Sequence, residues 1–99
     1  MLTRIVQMTF EPDKVELFLN HFEQVKLEVS KFKGCQGMRL LQDQNNPCVI
    51  FTYSVWNSNE DLERYRHSAL FQSIWPKIKP WFASKAHAWS LNETFNGFI

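Results

Sequence analysis

Few side chains in this sequence could act in chemistry, and their spacing excludes several kinds of site. Three histidines, two cysteines and three glycines are spread over 99 residues. The sequence has no H-x-x-x-H motif and no His, Cys or carboxylate cluster at ligand spacing, so we expect no metal. It has no glycine-rich phosphate loop, and Ser58 and Ser68 are typical of helix caps rather than of nucleophiles beside a base. We therefore expect no nucleotide or flavin cofactor either.

His67 has the most informative position of the three histidines. It lies at the junction of two predicted helical segments, next to Ser68. An imidazole there could act as a general acid or base, or could only help to cap a helix end, and both interpretations stay open. His21 falls by its spacing on the exposed side of a helix, so we expect it to be solvated. His87 begins the last predicted strand and has no evident partner.

The spacing of apolar residues predicts the elements that position these side chains. Period-two alternation predicts strands over residues 2–10, 35–43, 48–56 and 86–95. Helical spacing predicts helices from 15 to about 32, from 59 to about 66, and from 69 to about 81. Gly34 is placed to end the first helix, and Pro76 and Pro80 should kink or restart the last one.

The order β-α-β-β-α-β predicts one ferredoxin-like α+β domain over residues 1–99. Its four-stranded antiparallel sheet would carry the helices on one face. In the third strand the two sides are both largely apolar: Val49, Phe51, Tyr53 and Val55 on one, Ile50, Thr52, Ser54 and Trp56 on the other. A strand with two apolar sides needs a cover on each, and the sheet of a second copy is the simplest second cover. We therefore expect a homodimer through the sheet face.

Cys35 and Cys48 lie at opposite ends of the predicted hairpin, too far apart for a disulfide. We expect both to be free thiols. A third possible function is detoxification of electrophiles by these thiols, and the two free thiols are its only support in the sequence.

Composition narrows the range of partners. The net charge is +1, from 11 basic and 10 acidic residues, so a nucleic acid partner is not expected. No stretch approaches 18 apolar residues and the first residues do not resemble a signal peptide, which predicts a cytoplasmic protein with no membrane partner. Aromatic residues make up 15% of the chain, and some of them should line a pocket or a subunit contact.

Several segments resemble the antibiotic biosynthesis monooxygenase family. They are RIVQMTF at 4–10, FTYSVW at 51–56, YRHSxLF at 65–71 and AWS at 88–90. The resemblance extends over nearly the whole chain and implies a dimeric α/β barrel. Some members of the family oxidise anthrone-like or quinol substrates with dioxygen and no cofactor, others degrade haem, and many have no known activity.

The oxygenase members imply a dry aromatic cavity, a hydrogen-bond partner for a phenolate, and a base. His67 is our candidate for the catalytic base. The candidate residues for substrate binding are Trp75, Phe71, Trp56, Phe22, Tyr53 and Asn20. The aromatic residues at helical spacing could equally be plain core. The first hypothesis is thus a monooxygenase of a small aromatic substrate, and the alternative is a dimer that binds a small apolar ligand, or only associates, without turnover.

The haem-degrading members provide a further comparison. Aligned through Phe71, their haem-ligating His falls at Trp75 and their conserved Trp falls at Tyr65. The first strand also lacks the Asn of that branch. Because a Trp side chain cannot ligate iron, we do not expect haem degradation of that kind.

Overall fold

The four strands of the computed structural model, which describes residues 1–98, form a single antiparallel sheet. They are β1 (Leu2–Thr9), β2 (Cys35–Gln42), β3 (Val49–Trp56) and β4 (His87–Leu91). Their order across the sheet is β2-β3-β1-β4, so β1 and β3 are central. This arrangement confirms the predicted ferredoxin-like α+β fold.

Three helices connect the strands: α1 (Val15–Ser30), α2 (Asn59–Arg66) and α3 (Ala69–Ile78). The hydroxyl of Ser58 accepts a hydrogen bond from the backbone N–H of Asp61 at 3.1 Å, and that of Ser68 accepts one from Phe71 at 3.1 Å. Each bond satisfies a backbone donor that a helix start leaves unpaired, so both predicted caps are confirmed.

The helices cover one face of the sheet. Met8 of β1 and Ile50 of β3 are partners across the strand pair, and both are buried against helix residues. That buried core consists of Met8, Phe10, Val15, Phe18, Val29, Ile50, Ile74 and Ile78. The residues that alternate with these on the strands, such as Ile5 and Phe51, lie on the opposite face and outside this core.

Two predicted details differ from the structure, and a third, the restart near Pro80, agrees with it. Helix α3 runs through Pro76 instead of restarting there, and the carbonyl that loses its helical donor belongs to Gln72, an exposed residue. A new turn, the 3-10 segment Lys79–Trp81, begins only at the second proline. Strand β4 stops at Leu91, well short of residue 95, because its partner there is Thr3, near the start of β1.

The prediction that His21 is solvated is wrong. Its two ring nitrogens are buried, and neither has a hydrogen-bond partner within residues 1–98. The ring stands edge-on to Trp81, with 6.2 Å between ring centroids. The turn that follows α3 brings Trp81 over this side of α1, a contact that the spacing within one helix does not indicate.

Candidate functional site

A cavity of about 490 Å³ lies between the inner face of the sheet and the helices. This volume falls within the range of pockets that bind small molecules. The cavity wall is rich in aromatic side chains, namely Phe18, Phe22, Trp56, Tyr65, Phe71 and Trp75. Such a wall is suited to a flat apolar ligand.

Stacking fixes the aromatic wall. The Tyr65 ring stacks on Trp56 with centroids 5.1 Å apart, and the Phe71 ring stacks on Trp75 at 5.8 Å. Tyr65 and Phe71 meet edge to face at 5.3 Å and so link the two stacks. Each such pair contributes about 0.5–1.5 kcal/mol beyond the burial of its surface. The wall is therefore held in place by its own contacts.

The cavity opens where its lining residues are exposed, between the α2–α3 junction and β4. Arg66, His67 and Gln72 line it from the junction, and Ala88 lines it from β4. Met8, Trp56 and Leu62 are among the buried lining residues deeper inside. The cavity thus has a polar mouth and an apolar interior.

His67 lies at this mouth and is also the residue that ends α2. Its backbone N–H donates to the carbonyl of Glu63, as expected for a residue at a helix end. Its side chain is 80% exposed, and its Nε2 lies 3.6 Å from the Glu63 carboxylate. Both interpretations of this residue therefore have support: it ends a helix and it borders the cavity.

Three hydroxyl groups, those of Thr52, Ser54 and Tyr65, are set among the apolar lining residues, and the last two are suited to donate hydrogen bonds. Ser54 is buried, and its oxygen accepts a hydrogen bond from the indole N–H of Trp56 at 3.0 Å, which leaves the Ser54 hydroxyl proton available to donate. Burial raises the pKa of Tyr65 to about 12, so this phenol keeps its proton at neutral pH. Both groups are hydrogen-bond donors rather than bases.

Arg4 adds a positive charge to the wall formed by the sheet. It lines the cavity, and its Nη1 donates to the hydroxyl of Ser90 on the neighbouring strand at 3.0 Å. Burial lowers the pKa of Arg4, and the nearby charge of Arg66 lowers it further, while Glu63 acts in the opposite direction. The guanidinium nevertheless stays charged in water.

Five of the seven predicted site residues line the cavity: His67, Trp75, Phe71, Trp56 and Phe22. The other two do not. Tyr53 lies on the opposite face of the sheet, where Arg39 stacks over its ring, and Asn20 is exposed on α1. The sequence analysis missed Arg4, Ser54 and Tyr65. A signal was present, because Arg4 and Ser54 are polar residues that share the inward-facing side of the central strands with apolar residues such as Met8 and Ile50.

The other candidate chemistries have little support. Both cysteines are free, as predicted. Burial raises the pKa of the Cys35 thiol, which disfavours the reactive thiolate. No group of three or more His, Cys, Asp or Glu within residues 1–98 could hold a metal ion. No helix in that range is long and apolar enough to cross a membrane.

The family model described as antibiotic biosynthesis monooxygenase matches residues 1–76, which include β1, β3, α2 and most of the cavity wall. The chain belongs to this family. The resemblance seen in the sequence is thereby confirmed. A comparison with curated proteins gives no match.

Solved structures with the same fold include proteins described as antibiotic biosynthesis monooxygenases. A crystal structure of an antibiotic biosynthesis monooxygenase is 17% identical and superposes with a TM-score of 0.89 over 95% of this chain and 99% of its own. A candidate antibiotic biosynthesis monooxygenase from Nitrosomonas europaea is 17% identical, with a TM-score of 0.88 over 96% of this chain and 100% of its own. A conserved protein from Methanosarcina mazei Go1 is 21% identical, with a TM-score of 0.87 over 95% of this chain and 94% of its own. At these identities the likenesses establish the fold alone.

Proposed function

We propose that this protein is a cofactor-independent monooxygenase that oxidises a small quinol- or anthrone-like substrate with dioxygen. The observation that carries the proposal is the aromatic cavity of about 490 Å³ between the sheet and the helices. A cavity of this kind holds a flat aromatic ring and excludes water from it. Membership of the antibiotic biosynthesis monooxygenase family agrees with this chemistry.

The reaction requires little from the protein beyond binding and proton transfer. A deprotonated phenol or anthrone is electron-rich enough to give one electron to dioxygen, and the resulting radical pair combines to form a carbon–oxygen bond. The peroxide then breaks, so that one oxygen atom stays on the substrate as a carbonyl oxygen. The other leaves as water with the two hydrogens that the substrate loses.

Three residues have roles in this proposal. His67, at the solvent-exposed mouth, takes the substrate proton and passes it to water, and the Glu63 carboxylate stabilises the imidazolium. Tyr65 donates a hydrogen bond to the oxygen on which negative charge develops. The pKa of about 12 leaves Tyr65 unable to act as the base at neutral pH, and this favours His67 for that role.

The two tyrosines provide a matched test. Tyr65→Phe removes a hydroxyl from the cavity wall, and Tyr53→Phe removes one from the opposite face of the sheet. With a panel of anthrones, naphthols and hydroquinones, we expect dioxygen uptake by the metal-free wild-type protein above the uncatalysed rate. Uptake should fall at least about tenfold, or about 1.4 kcal/mol of transition-state stabilisation, in Tyr65→Phe and in His67→Gln.

The Tyr53→Phe variant should keep wild-type uptake. Equal losses in both tyrosine variants would contradict the placement of the reaction in this cavity. If uptake is unaffected in His67→Gln, the proposed oxygenase activity stands, but His67 is not part of its site. No uptake with any of these substrates would contradict the proposed oxidation.

One observation favours a second candidate function, a dimer that binds an aromatic ligand without turnover. His67 is 80% exposed, so it could be no more than the residue that ends α2. The same assay separates the two candidates, because a binding protein would retain the ligand and consume no dioxygen.

We also propose that two copies associate through the uncovered face of the sheet. This face, defined by Ile5, Leu41, Phe51, Tyr53, Val55, Trp89 and Leu91, is largely apolar but also carries Gln7 and Arg39, and no helix of residues 1–98 covers it. Leu41, Trp89 and Leu91 are 48%, 44% and 44% exposed. A contiguous apolar surface of this kind is uncommon on a monomer.

A further inference from the structure

A polar row crosses the largely apolar inner face of the sheet. Arg4 of β1 is the register partner of Ser54 on β3 and of Ser90 on β4. Residues directly opposite each other on neighbouring strands have Cβ atoms about 4.5–5.5 Å apart. A guanidinium is therefore flanked on both sides by hydroxyl groups, and Arg4 and Ser54 both line the cavity.

Arg4 forms no ion pair in the part of the chain that the structure describes. Within residues 1–98 no carboxylate lies within 4.0 Å of it. Its neighbour Arg66, in contrast, bonds to both carboxylate oxygens of Glu63, at 2.8 and 3.0 Å. A half-buried charge without a partner is unfavourable, and burial lowers the pKa of Arg4 accordingly. The cavity thus has one unbalanced positive charge.

We propose that the ligand of this cavity is an aromatic carboxylate, whose rings lie against Phe71 and Trp75 and whose carboxylate binds Arg4. A guanidinium has five N–H donors in a planar fork that matches the two oxygens of a carboxylate. Ser90 accepts one of these donors and orients the group, and Ser54 has a hydroxyl proton left for the same anion. The proposal rests on the proposed function only in that the cavity binds an aromatic ring, and it adds the charge of the substrate.

The test is the affinity for naphthoic acid and for its uncharged amide, measured by titration calorimetry at neutral pH on the full chain. Wild-type protein should bind the carboxylate at least about tenfold more tightly than the amide. Arg4→Gln should abolish this preference, because it weakens binding of the carboxylate far more than binding of the amide. Arg64→Gln is the matched control, because Arg64 pairs with Asp61 and does not line the cavity, and it should keep the preference.

Two milder variants keep the test valid if Arg4→Gln fails to fold. Arg4→Lys retains the charge without the planar fork and should keep part of the preference, and Ser90→Ala should weaken it. Equal affinity of the wild-type protein for the two compounds, a preference that survives Arg4→Gln, or binding of neither compound would overturn the proposal.

Failure of the carboxylate proposal in this binding test can be distinguished from failure of the proposed oxidation. An Arg4-dependent preference without dioxygen uptake would contradict the oxygenase and leave the carboxylate site in place. Dioxygen uptake with equal binding of acid and amide would contradict the carboxylate site and leave the proposed oxygenase in place.

Discussion

His21, whose two ring nitrogens are buried although the residue is only half-buried, should make the stability of the fold depend on pH. Burial lowers its pKa below the usual 6.5, and the positive charge of Lys77 lowers it further. Below about pH 6.5 the unfolded chain therefore binds a proton at this position more readily than the folded chain does. Stability is fully present above that pH and is lost as the pH falls toward the lowered pKa of the folded state.

We predict that replacing His21 weakens this pH dependence. In wild-type protein the free energy of unfolding in urea should decrease between pH 7 and pH 5, and in His21→Phe the decrease should be smaller, because Phe has no proton to bind. His87→Gln removes an exposed imidazole from β4 and should leave the decrease as it is in the wild type. Identical pH dependence in wild type and His21→Phe would show that His21 is solvated in both states.

At the scale of residues, the sequence predicted the apolar part of the site better than its polar part. Phe22, Phe71 and Trp75 follow helical spacing, which places them on the covered side of their helices. Tyr53 was misplaced because β3 is apolar on both sides, so alternation alone does not tell which side faces the cavity. Arg4 was missed because its significance depends on Ser54 and Ser90, which become its neighbours only through strand pairing.

At the scale of elements, Gly34 determines how α1 leads into β2 and how closely α2 can approach. Its φ is +90°, a conformation that favours glycine, and a Cβ atom built there would collide with the Asp61 side chain at the start of α2. Gly37, in the irregular part of β2, has a φ of +137° but has no atom within 4 Å of such a Cβ. Both glycines thus have a positive φ, but only at Gly34 would an added side chain also meet a neighbouring residue.

We predict that Gly34→Ala is the more destabilising of the two substitutions. Gly37→Ala should cost about 1–2 kcal/mol of unfolding free energy from backbone strain alone. Gly34→Ala should cost a further amount of about 1–3 kcal/mol, because α2 must move away from the added methyl group. Urea denaturation of the two variants measures the difference. An equal loss of unfolding free energy in the two variants would mean that the Asp61 side chain moves aside at no energetic cost.

The elements themselves were largely predictable, since all four strands and all three helices follow from apolar spacing and from the Ser58 and Ser68 caps. The errors lie where one element depends on another. The end of β4 is set by how much of β1 remains to pair with it, and continuation of α3 through Pro76 depends on the exposure of the carbonyl left without a donor. Neither quantity is a property of the local sequence.

At the scale of the whole molecule, the uncovered face of the sheet should determine the oligomeric state. We predict a dimer of the 11.8 kDa chain by light scattering at micromolar concentration. Phe51→Glu places a charge on that face beside Leu41 and Gln7, its partners on the neighbouring strands, and should give a monomer. Desolvating an unpaired carboxylate at a subunit contact is costly enough to oppose association.

Leu27→Glu is the matched control for this variant. Leu27 is an apolar residue on α1 with 61% of its surface exposed, and it lies away from the uncovered sheet face. The Leu27→Glu protein should remain a dimer. A wild-type protein with the mass of one chain, or a Phe51→Glu protein with the mass of two, would contradict association through the sheet.

The fate of the two oxygen atoms tests the proposed oxidation most directly. The measurement is mass spectrometry of the product and of the water formed when the metal-free protein turns over an anthrone under dioxygen labelled with heavy oxygen. We predict one labelled atom in the product carbonyl and the other in water, at a rate well above that without protein. An unlabelled product, or labelled product formed no faster than in buffer, would show that the cavity does not catalyse monooxygenation.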